Sequence, residues 1–568
     1  MYNRRQKRRL LIVLSAYALF FLLLFFRLTY LQLIKHNELS KLAREEHNLK
    51  VDILPQRGHI YDRNLKELAV SLKVDSLYAV PWDIEDKEYT ANILSNILGI
   101  DREKLLQKLS RGKGFVWLAR AVAQGRAMKI RSLKLKGIDF VKEYRRFYPN
   151  GMFCAHLLGY AGIDNAGLDG IELYYDKYLK GTAGARYLQR DAKGYALAAF
   201  ERRYLPAYDG LNLLTTVDEV IQHIVERELD TAMRDSHARA GLVVVMDPNN
   251  GDILALANRP AFDPNRFWDS NERQRRNWAI CDIFEPGSTF KIVTASAVLN
   301  EKAISPATKF FCENGSYFYA GHTLHDHKPH GWLTFKEVIE QSSNIGTCKI
   351  AQILGKDRLF KYIKLFGFGH KSGIDLPGEA VGIAKPPRFW SKVSITNVPM
   401  GQEVAVTAMQ MALAMGAIAN GGSLVRPRIA VKIIDNDGQV VYEQQPVIVR
   451  RVISQEASAA MREFLRGVVE TGTGTLAKVD GYAVAGKTGT AQKLEANGTY
   501  SHTKFVASFF GFAPADKPAI VIGVVLDEPH PLYFGGTVSA PVFSRIAKDV
   551  LRYKEIPPDR SGLAAAAK

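Results

Sequence analysis

An uncharged apolar run near the N-terminus is the feature that most constrains this chain of 568 residues. The run extends from Leu10 to Phe26, and the apolar character resumes after Arg27 and continues to Ile34. At 1.5 Å per residue, a helix of this length crosses a hydrocarbon core of about 30 Å, and Arg27 can extend its charge to the interface. We therefore predict one membrane-spanning helix over residues 10–34.

A cleaved secretory signal is the alternative interpretation of this run. The run is longer than the usual apolar region of roughly 7–15 residues, and no small-x-small cleavage site follows it. Five basic residues precede it, and the positive-inside rule keeps such a cluster in the cytoplasm; they are Arg4, Arg5, Lys7, Arg8 and Arg9. Residues 1–9 are thus predicted to be a cytoplasmic tail, with the chain after Ile34 outside.

Composition narrows the remaining classes of protein. Apolar residues make up 47% and charged residues 24%, which is typical of globular chains and excludes collagen-like or wholly disordered ones. The net charge of +18 suits nucleic acid, anionic lipid or an acidic polymer. Because the body is predicted to lie outside the cytoplasm and no RNA- or DNA-binding motif is present, nucleic acid is not an expected partner. The basic run 129–146 is interpreted as a solvated face or a contact with an acidic polymer.

The four cysteines carry little information. They contain no C-x-x-C pair, so neither zinc nor thioredoxin-type chemistry is indicated. Both buried thiols and disulfides stay open for Cys154, Cys281, Cys312 and Cys348.

The predicted extracytoplasmic part divides into two regions near residue 209, where the pattern of predicted helices and strands changes. Residues 35–208 mix helical periodicity with short β-like runs, and their glycine spacing predicts repeated turns, so we interpret them as a non-catalytic pedestal. The predicted helices are 89–98 and 102–109, and the predicted strands are 115–118 and 140–144.

Residues 209–556 begin and end with strand patterns and have helical patterns between them, which predicts one α/β domain whose sheet joins strands distant in sequence. Asp218 is predicted to cap a helix reaching Leu229. Residues 557–568 are predicted to be a tail. The other predicted elements are a hairpin of 241–247 with 253–257, helices 292–299 and 407–418, and strands 482–485, 505–510 and 520–526.

The strongest chemical signal is the segment Glu285–Lys291, with the sequence Glu-Pro-Gly-Ser-Thr-Phe-Lys. Pro286 and Gly287 interrupt what precedes, so an apolar helix is predicted to begin at Ser288 with Lys291 on the same face. A serine hydroxyl becomes a nucleophile when a base takes its proton, and a lysine kept neutral by burial can be that base. A capping serine followed by an exposed lysine is the structural alternative for this pattern alone.

Two further motifs follow in order. Ser342-Ser-Asn344 lies at a predicted turn between helices, and Lys487-Thr-Gly-Thr490 follows the apolar segment 482–485. The set Ser-x-x-Lys, Ser-x-Asn and Lys-Thr-Gly defines the penicillin-recognising serine enzymes. A capping Ser/Asn pair and a glycine-containing strand edge are the structural alternatives, but the joint occurrence of all three motifs favours an active site.

Nearly the whole chain resembles the class B penicillin-binding proteins, which are membrane-anchored D,D-transpeptidases of peptidoglycan synthesis. Arg57–Asn64 resembles the first pedestal motif of that family, although Leu65 stands where a glycine is usual, and the Ser-Ser-Asn form of the second motif most resembles the septal members. The resemblance implies an α/β (α+β) penicillin-binding/transpeptidase fold with an N-terminal mixed α/β pedestal and a single transmembrane helix. Other segments similar to family motifs are 146–149, 167–172, Gly181, 367–379, 401–402 and 419–422.

The resemblance also implies catalytic roles. Ser288 would attack the D-Ala-D-Ala carbonyl of a stem pentapeptide and form an acyl-enzyme, with Lys291 as the general base. Ser342 would relay protons to the leaving amine, and Asn344 would hold Lys291 and the substrate amide.

The third motif would bind the substrate. Lys487 would raise the local positive potential, while the hydroxyls of Thr488 and Thr490 would bind the terminal carboxylate. Gly489 would allow close approach of the strand, and the N–H groups of Ser288 and Thr490 would form the oxyanion hole.

The implied ligands and partners are peptidoglycan stem peptides, β-lactams, a SEDS-family glycosyltransferase and other division proteins in the membrane. No cofactor and no metal is expected, and the implied location is the inner (cytoplasmic) membrane with an extracytoplasmic, periplasmic catalytic domain. His322, His325, His327 and His330 are spaced so that they could bind zinc, but we interpret them as a solvated polar loop because no helix or strand is predicted to fix them.

Several alternative functions are compatible with the same resemblance. An elongation-type class B transpeptidase would carry the same motifs. A catalytically silent divisome scaffold or β-lactam sensor would not need three intact motifs, and a β-lactamase or carboxypeptidase would not need a pedestal. The sequence therefore favours a transpeptidase of septal cell-wall synthesis.

Overall fold

The computed structural model describes residues 4–40, 48–110, 115–190, 196–495 and 498–559. The chain forms two compact units: the smaller comprises 1–56, 73–144 and 181–209, and the larger comprises 57–72, 145–180 and 210–568. The predicted boundary between pedestal and catalytic domain at residue 208 stays a prediction, because compactness alone does not define a functional domain. The predicted tail is described only to Asp559, and its remainder lies outside the described residues.

The N-terminal helix runs from Arg4 to Thr29 and continues as a π-helical turn over Tyr30–Ile34. Its apolar side chains are exposed, since none of the spanning window is buried against protein. Among the described residues it is the one helix long and apolar enough to cross a membrane. The structure thus confirms the predicted apolar helix over 10–34.

The rest of the smaller unit is built on two packed helices, Lys87–Leu98 and Arg102–Ser110. Asp86 accepts a hydrogen bond from the N–H of Tyr89 at 2.9 Å and caps the helix Lys87–Leu98, which ends at Gly99 with φ +71°. The apolar face of this pair packs on the strands Glu67–Ala79 and Val116–Val122. The other elements of this unit are the helix Gln124–Ser132 and strands Asn48–Ile53, Ile138–Phe147 (continuing into the larger unit), Gly184–Arg190 and Ala196–Leu205.

A five-stranded antiparallel sheet forms the centre of the larger unit. In chain order its strands are β1 (Ala240–Met246), β2 (Ile253–Arg259), β3 (Ala485–Leu494), β4 (Tyr500–Ala513) and β5 (Ile520–Asp527). Their order across the sheet is β2-β1-β5-β4-β3. Val243 in β1 pairs with Val524 in β5, which confirms that this sheet joins strands distant in sequence.

A hydrophobic core covers each face of the sheet, and for this reason the sequence of β1 is continuously apolar. Val243 and Val245 belong to a core that includes the helices Glu219–Ser236 and Ala540–Tyr553. Val244 and Met246 point to a second core, which contains the fully buried helix Ala408–Ala419. Alternate side chains therefore meet different cores, and each must be apolar.

The remaining elements of the larger unit have the following bounds. Its longer helices are Phe335–Glu340, Asn344–Leu354, Lys356–Leu365 and Gln455–Glu470, besides those named above and the helix Lys291–Asn300. Its short helices include Ala155–Leu158, Gly170–Tyr174 and Asp176–Leu179, and its other strands include Ile60–Tyr61, Asn212–Thr215, Lys309–Phe311, Ser316–Tyr319, His322–His325, Trp332–Thr334, Ala430–Ile434 and Val440–Glu443. All four cysteines are free thiols.

The predicted strand over 482–485 is wrong, because β3 begins only at Ala485. The N–H of Ala483 donates to the carboxylate of Asp559 at 2.7 Å, and the hydroxyl of Tyr482 donates to the carbonyl of Ile556 at 2.6 Å. Polar groups of the C-terminal segment thus take the place of a ladder partner for these residues.

The motif at Arg57–Asn64 contains a buried ion network. Glu172 accepts from Nε of Arg57 at 2.6 Å and from Nε of Arg146 at 2.5 Å, and all three side chains are almost completely buried. Burial alone would raise the pKa of Glu172, but the two guanidinium groups outweigh it and hold that pKa below its usual value. Leu65, which stands where a glycine is usual, adopts φ +64°, a conformation that costs a residue with a side chain about 1 kcal/mol.

The buried network predicts a large effect on stability. Glu172→Gln removes the carboxylate that the two buried guanidinium groups share, and although Arg57 keeps Asp176 at 2.7 Å, we expect the free energy of unfolding to fall by about 3–5 kcal/mol. Because the folded pKa of Glu172 is depressed, its contribution is present near neutral pH and is lost as pH falls through the folded value. Thermal unfolding of the purified variants between pH 7 and pH 4 measures this.

Glu88→Gln is the matched control, since Glu88 pairs with Arg102 at 3.1 Å on the surface and that pair contributes at most about 1 kcal/mol. Equal losses for the two variants would contradict a special role for the buried network.

Candidate functional site

Ser288 lies in a tight turn against the edge strand of the central sheet. The α-helix α1 begins at Lys291 (Lys291–Asn300), and a 3₁₀ turn over Gly287–Phe290 precedes it, so the predicted helix start at Ser288 is wrong by three residues. Gly287 has φ +53°, and a Cβ there would lie 3.1 Å from the carbonyl oxygen of Thr490 in β3. This close approach places the half-buried Ser288 beside the strand that carries the third motif.

Lys291 is fully buried and contacts the second motif directly. Its Nζ lies 2.6 Å from the carbonyl oxygen of Ser342, 2.7 Å from Oδ1 of Asn344 and 3.3 Å from Oγ of Ser342. The sequence spacing therefore brings Lys291 and the Ser-Ser-Asn motif together as expected.

The second motif forms the turn between the helix Phe335–Glu340 and α2 (Asn344–Leu354), which confirms its predicted place. Ser342 adopts φ +59°, a left-handed conformation that is strained for a residue with a side chain. Ser343 is the N-cap of α2, and its Oγ accepts from the N–H of Gly346 at 2.9 Å.

Lys487 is the second fully buried amine in this cleft. It lies in β3, and its Nζ donates to Oγ of Ser342 at 2.9 Å and to the carbonyl of Thr488 at 3.3 Å. The hydroxyl of Ser342 is thus within 3.3 Å of both lysine amines.

Burial depresses the affinity of both amines for protons. Burial lowers the pKa of Lys291 to about 7, against an opposing attraction from Asp326 and Cys312. Burial, and then the charge of Lys291, lower the pKa of Lys487 well below its usual value. At neutral pH the cleft therefore does not hold two full ammonium charges.

The rest of the third motif is packed too closely for larger side chains. A Cβ on Gly489 would lie 2.4 Å from Oγ of Ser508 and 2.9 Å from the carbonyl oxygen of Pro286. The hydroxyls of Thr488 and Thr490 are held by groups that the sequence motifs do not include: Thr473 Oγ1 lies 2.7 Å from that of Thr488, and the N–H of Gly535 donates to that of Thr490 at 3.0 Å.

The histidine-rich segment has more structure than predicted. His322 and His325 lie in the strand His322–His325, which pairs with Ser316–Tyr319, so the expectation that no strand fixes these side chains is wrong. The ring of His327 packs on that of Phe534 with centroids 4.7 Å apart. Within the described residues, no group of three or more His, Cys, Asp or Glu side chains has metal-binding geometry.

Sequence reasoning missed Asp326 at this site and gave no role to Glu285, the first residue of the Glu285–Lys291 segment. Asp326 accepts hydrogen bonds from the start of α2, and Glu285 accepts from the hydroxyl of Tyr500 at 3.0 Å and from the N–H of Glu403 at 2.9 Å. Asp326 belongs to no recognisable motif, and the partners of both carboxylates are distant in sequence, so their contacts depend on the folded chain.

Comparisons with known proteins agree with this geometry. Residues 241–548 match the family described as Penicillin binding protein transpeptidase domain, and residues 52–215 match the Penicillin-binding Protein dimerisation domain. Stage V sporulation protein D of Bacillus subtilis is 38% identical, over 98% of this chain and 88% of that protein. Peptidoglycan D,D-transpeptidase FtsI of Escherichia coli K12 is 33% identical, over 94% of this chain and 90% of that protein.

A solved structure has the same fold. Penicillin binding protein 3 from Mycobacterium tuberculosis, complexed with aztreonam, superposes with a TM-score of 0.71 at 30% identity, over 90% of this chain and 98% of that one. Since the transpeptidase match covers more than half of the sequence and these relatives align along nearly all of it, the chain belongs to the class B penicillin-binding proteins.

Proposed function

We propose that this protein is a serine-type peptidoglycan D,D-transpeptidase of the septal, penicillin-binding protein 3 type, and that β-lactams inhibit it by acylating Ser288. The observation that carries the proposal is the burial of the Lys291 amine between two acceptors of the second motif. The relatives named peptidoglycan D,D-transpeptidase and the aztreonam complex of a relative support the same reaction and inhibitor class.

The hydrogen bonds around Lys291 suit a general base. A neutral amine has two N–H donors and one lone pair, and the carbonyl of Ser342 and Oδ1 of Asn344 can accept both donors. The lone pair then stays available for the proton of Ser288. The Oγ of Ser288 attacks the D-Ala-D-Ala carbonyl, Lys291 takes the proton, and the terminal D-Ala leaves from the acyl-enzyme.

The hydroxyl of Ser342 provides a route for protons to the leaving amine. It lies between Lys291 and Lys487, so a proton accepted by Lys291 can pass through it to the departing nitrogen. The acyl group then passes to the side-chain amine of a neighbouring stem peptide, which completes the cross-link.

The third motif would bind the donor peptide. The hydroxyls of Thr488 and Thr490 bind its terminal carboxylate, and the positive potential of Lys487 attracts that carboxylate. The N–H groups of Ser288 and Thr490 form the oxyanion hole. The absence of room for a side chain at Gly489 supports a close approach of β3 to the Ser288 turn.

We further propose that residues 10–34 anchor the protein in the inner membrane with residues 1–9 in the cytoplasm, that 35–208 act as the pedestal, and that 209–556 form the transpeptidase domain outside. A SEDS-family glycosyltransferase and other division proteins are the proposed membrane partners. The basic residues before the apolar run and the relative FtsI support this placement.

Removing the nucleophile tests the assignment of Ser288. Ser288→Ala should abolish covalent labelling by fluorescent penicillin and leave the melting temperature within about 2 °C of wild type, because one half-buried hydroxyl contributes little stability. Ser305→Ala, on an exposed surface, is the control and should label normally. Stoichiometric labelling of the Ser288 variant would refute the assignment.

Lys291→Met should separate activity from stability. We expect acylation to fall by at least about 10³-fold, because the base is lost. Between pH 7 and pH 10.5 the unfolded lysine binds a proton that the buried one does not, so Lys291 costs stability that grows as pH falls through this window. The variant should therefore be more stable at pH 7, by about 1–3 kcal/mol.

Lys309→Met is the control, since Lys309 is exposed. In wild type, the acylation rate should rise with pH through about 7, the pKa of Lys291. An acylation rate for Lys291→Met within tenfold of wild type would contradict the role of base.

The proposed membrane anchor predicts that acylation by penicillin can be separated from support of cell division. A soluble fragment beginning near Ser40 should still be acylated by penicillin but should fail to support cell division in a depleted strain, because tethering provides a high effective concentration near the membrane partner. Replacing residues 10–34 with an unrelated spanning helix distinguishes tethering from specific contact. Rescue by the anchorless fragment at normal expression would disprove the membrane-partner proposal.

A further inference from the structure

Asp326 is a half-buried carboxylate that belongs to none of the three motifs. It follows the strand His322–His325 and meets the first turn of α2. Its Oδ1 accepts from the N–H of Asn344 at 2.5 Å and from the N–H of Ile345 at 3.0 Å, while its Oδ2 accepts from Oγ of Ser343 at 2.6 Å. One carboxylate thus accepts from two donors of the Ser-Ser-Asn motif and from the N–H of the residue after it.

The residue before it completes the contact. The carbonyl of His325 accepts from Nδ2 of Asn344 at 2.9 Å, which leaves Oδ1 of the same amide directed at the Lys291 amine at 2.7 Å. Residues 325–326 therefore determine which end of the Asn344 amide faces Lys291. A rotated amide would present N–H groups to the amine and would remove one of its two acceptors.

The negative charge of Asp326 also acts on the buried amine of Lys291. The titratable groups whose charges act on Lys291 are Asp326 and then Cys312, which follows the strand Lys309–Phe311. The amine of Lys487, from β3, lies across the hydroxyl of Ser342, and its own pKa is lowered by the charge of Lys291. Asp326 favours the charged form of Lys291, while burial opposes it. Asp326 therefore holds the pKa of Lys291 above the value that burial alone would give it.

We propose that Asp326 is a positioning residue for the reaction of Ser288: it fixes Asn344 against Lys291, and its charge sets the pH above which the Lys291 amine can accept a proton. This proposal rests on the proposed function of Lys291 as the base. It assigns two separable properties to one side chain, a geometric one and an electrostatic one.

Two substitutions separate these properties. Asp326→Asn keeps the size and an oxygen acceptor but removes the charge, so the midpoint of the acylation rate against pH should move down by about one unit. Asp326→Glu keeps the charge but moves it by one methylene, so the rate at the pH optimum should fall at least about tenfold without a downward shift of the midpoint. Both are made in the full-length protein in detergent, with benzylpenicillin as the probe.

Glu313→Gln is the matched control, because it removes one negative charge from the same region, where Glu313 pairs with Lys349 at 2.5 Å. Its pH profile should match that of wild type. A ¹³C NMR titration of the Lys291 Cε carbon, assigned with Lys291→Met, follows the protonation of the amine directly and does not depend on catalysis.

The outcomes are distinguishable. A lower NMR midpoint in Asp326→Asn supports the electrostatic property even if Ser288 is not the nucleophile, whereas failure of the proposed function appears as normal labelling of Ser288→Ala. An unchanged midpoint in Asp326→Asn by both measurements overturns the proposal and leaves a helix cap only. If Asp326→Asn does not fold, an undiminished optimum rate in Asp326→Glu overturns the geometric property.

Discussion

The burial of two amines around one hydroxyl is the constraint on which the rest of this site depends. Lys291 and Lys487 are both fully buried, and the Ser342 hydroxyl lies between them. An isolated buried ammonium is costly, and two adjacent ones are costlier. The cleft is therefore stable only when at least one of the amines is neutral, and a neutral amine is what proton transfer from a serine requires.

The burial of these amines depends on three elements that are far apart in the sequence. The helix α1 provides Lys291, the turn before α2 provides Ser342, and β3 provides Lys487. Their backbones approach closely, since neither Gly287 nor Gly489 has room for a side chain without displacing its neighbours, and Ser342 accepts a left-handed conformation. Strain and lost stability are thus concentrated where the chemistry takes place.

Patterns that depend on local sequence were predicted well. The helix capped by Asp218 and the hairpin of β1 and β2 follow from capping and periodicity, and the three motifs identify the groups that converge. Features set by distant partners were not predictable. The N–H of Ala483 donates a hydrogen bond to Asp559 instead of extending β3. The carboxylate of Asp326 accepts hydrogen bonds from the start of α2, although its own segment was interpreted as a solvated polar loop.

The pairing of β1 with β5 has a consequence for how the chain folds. About half of the chain's length separates Val243 from Val524, so β1 emerges during synthesis long before its partner exists. Until then it is an apolar strand with an open edge, and such edges invite pairing with other chains. Closing a loop of this size is entropically slow, and native contact order is correspondingly high. Folding of the catalytic core should therefore be limited by the arrival of the last strand, and the chain is most vulnerable to aggregation and proteolysis in the interval before it.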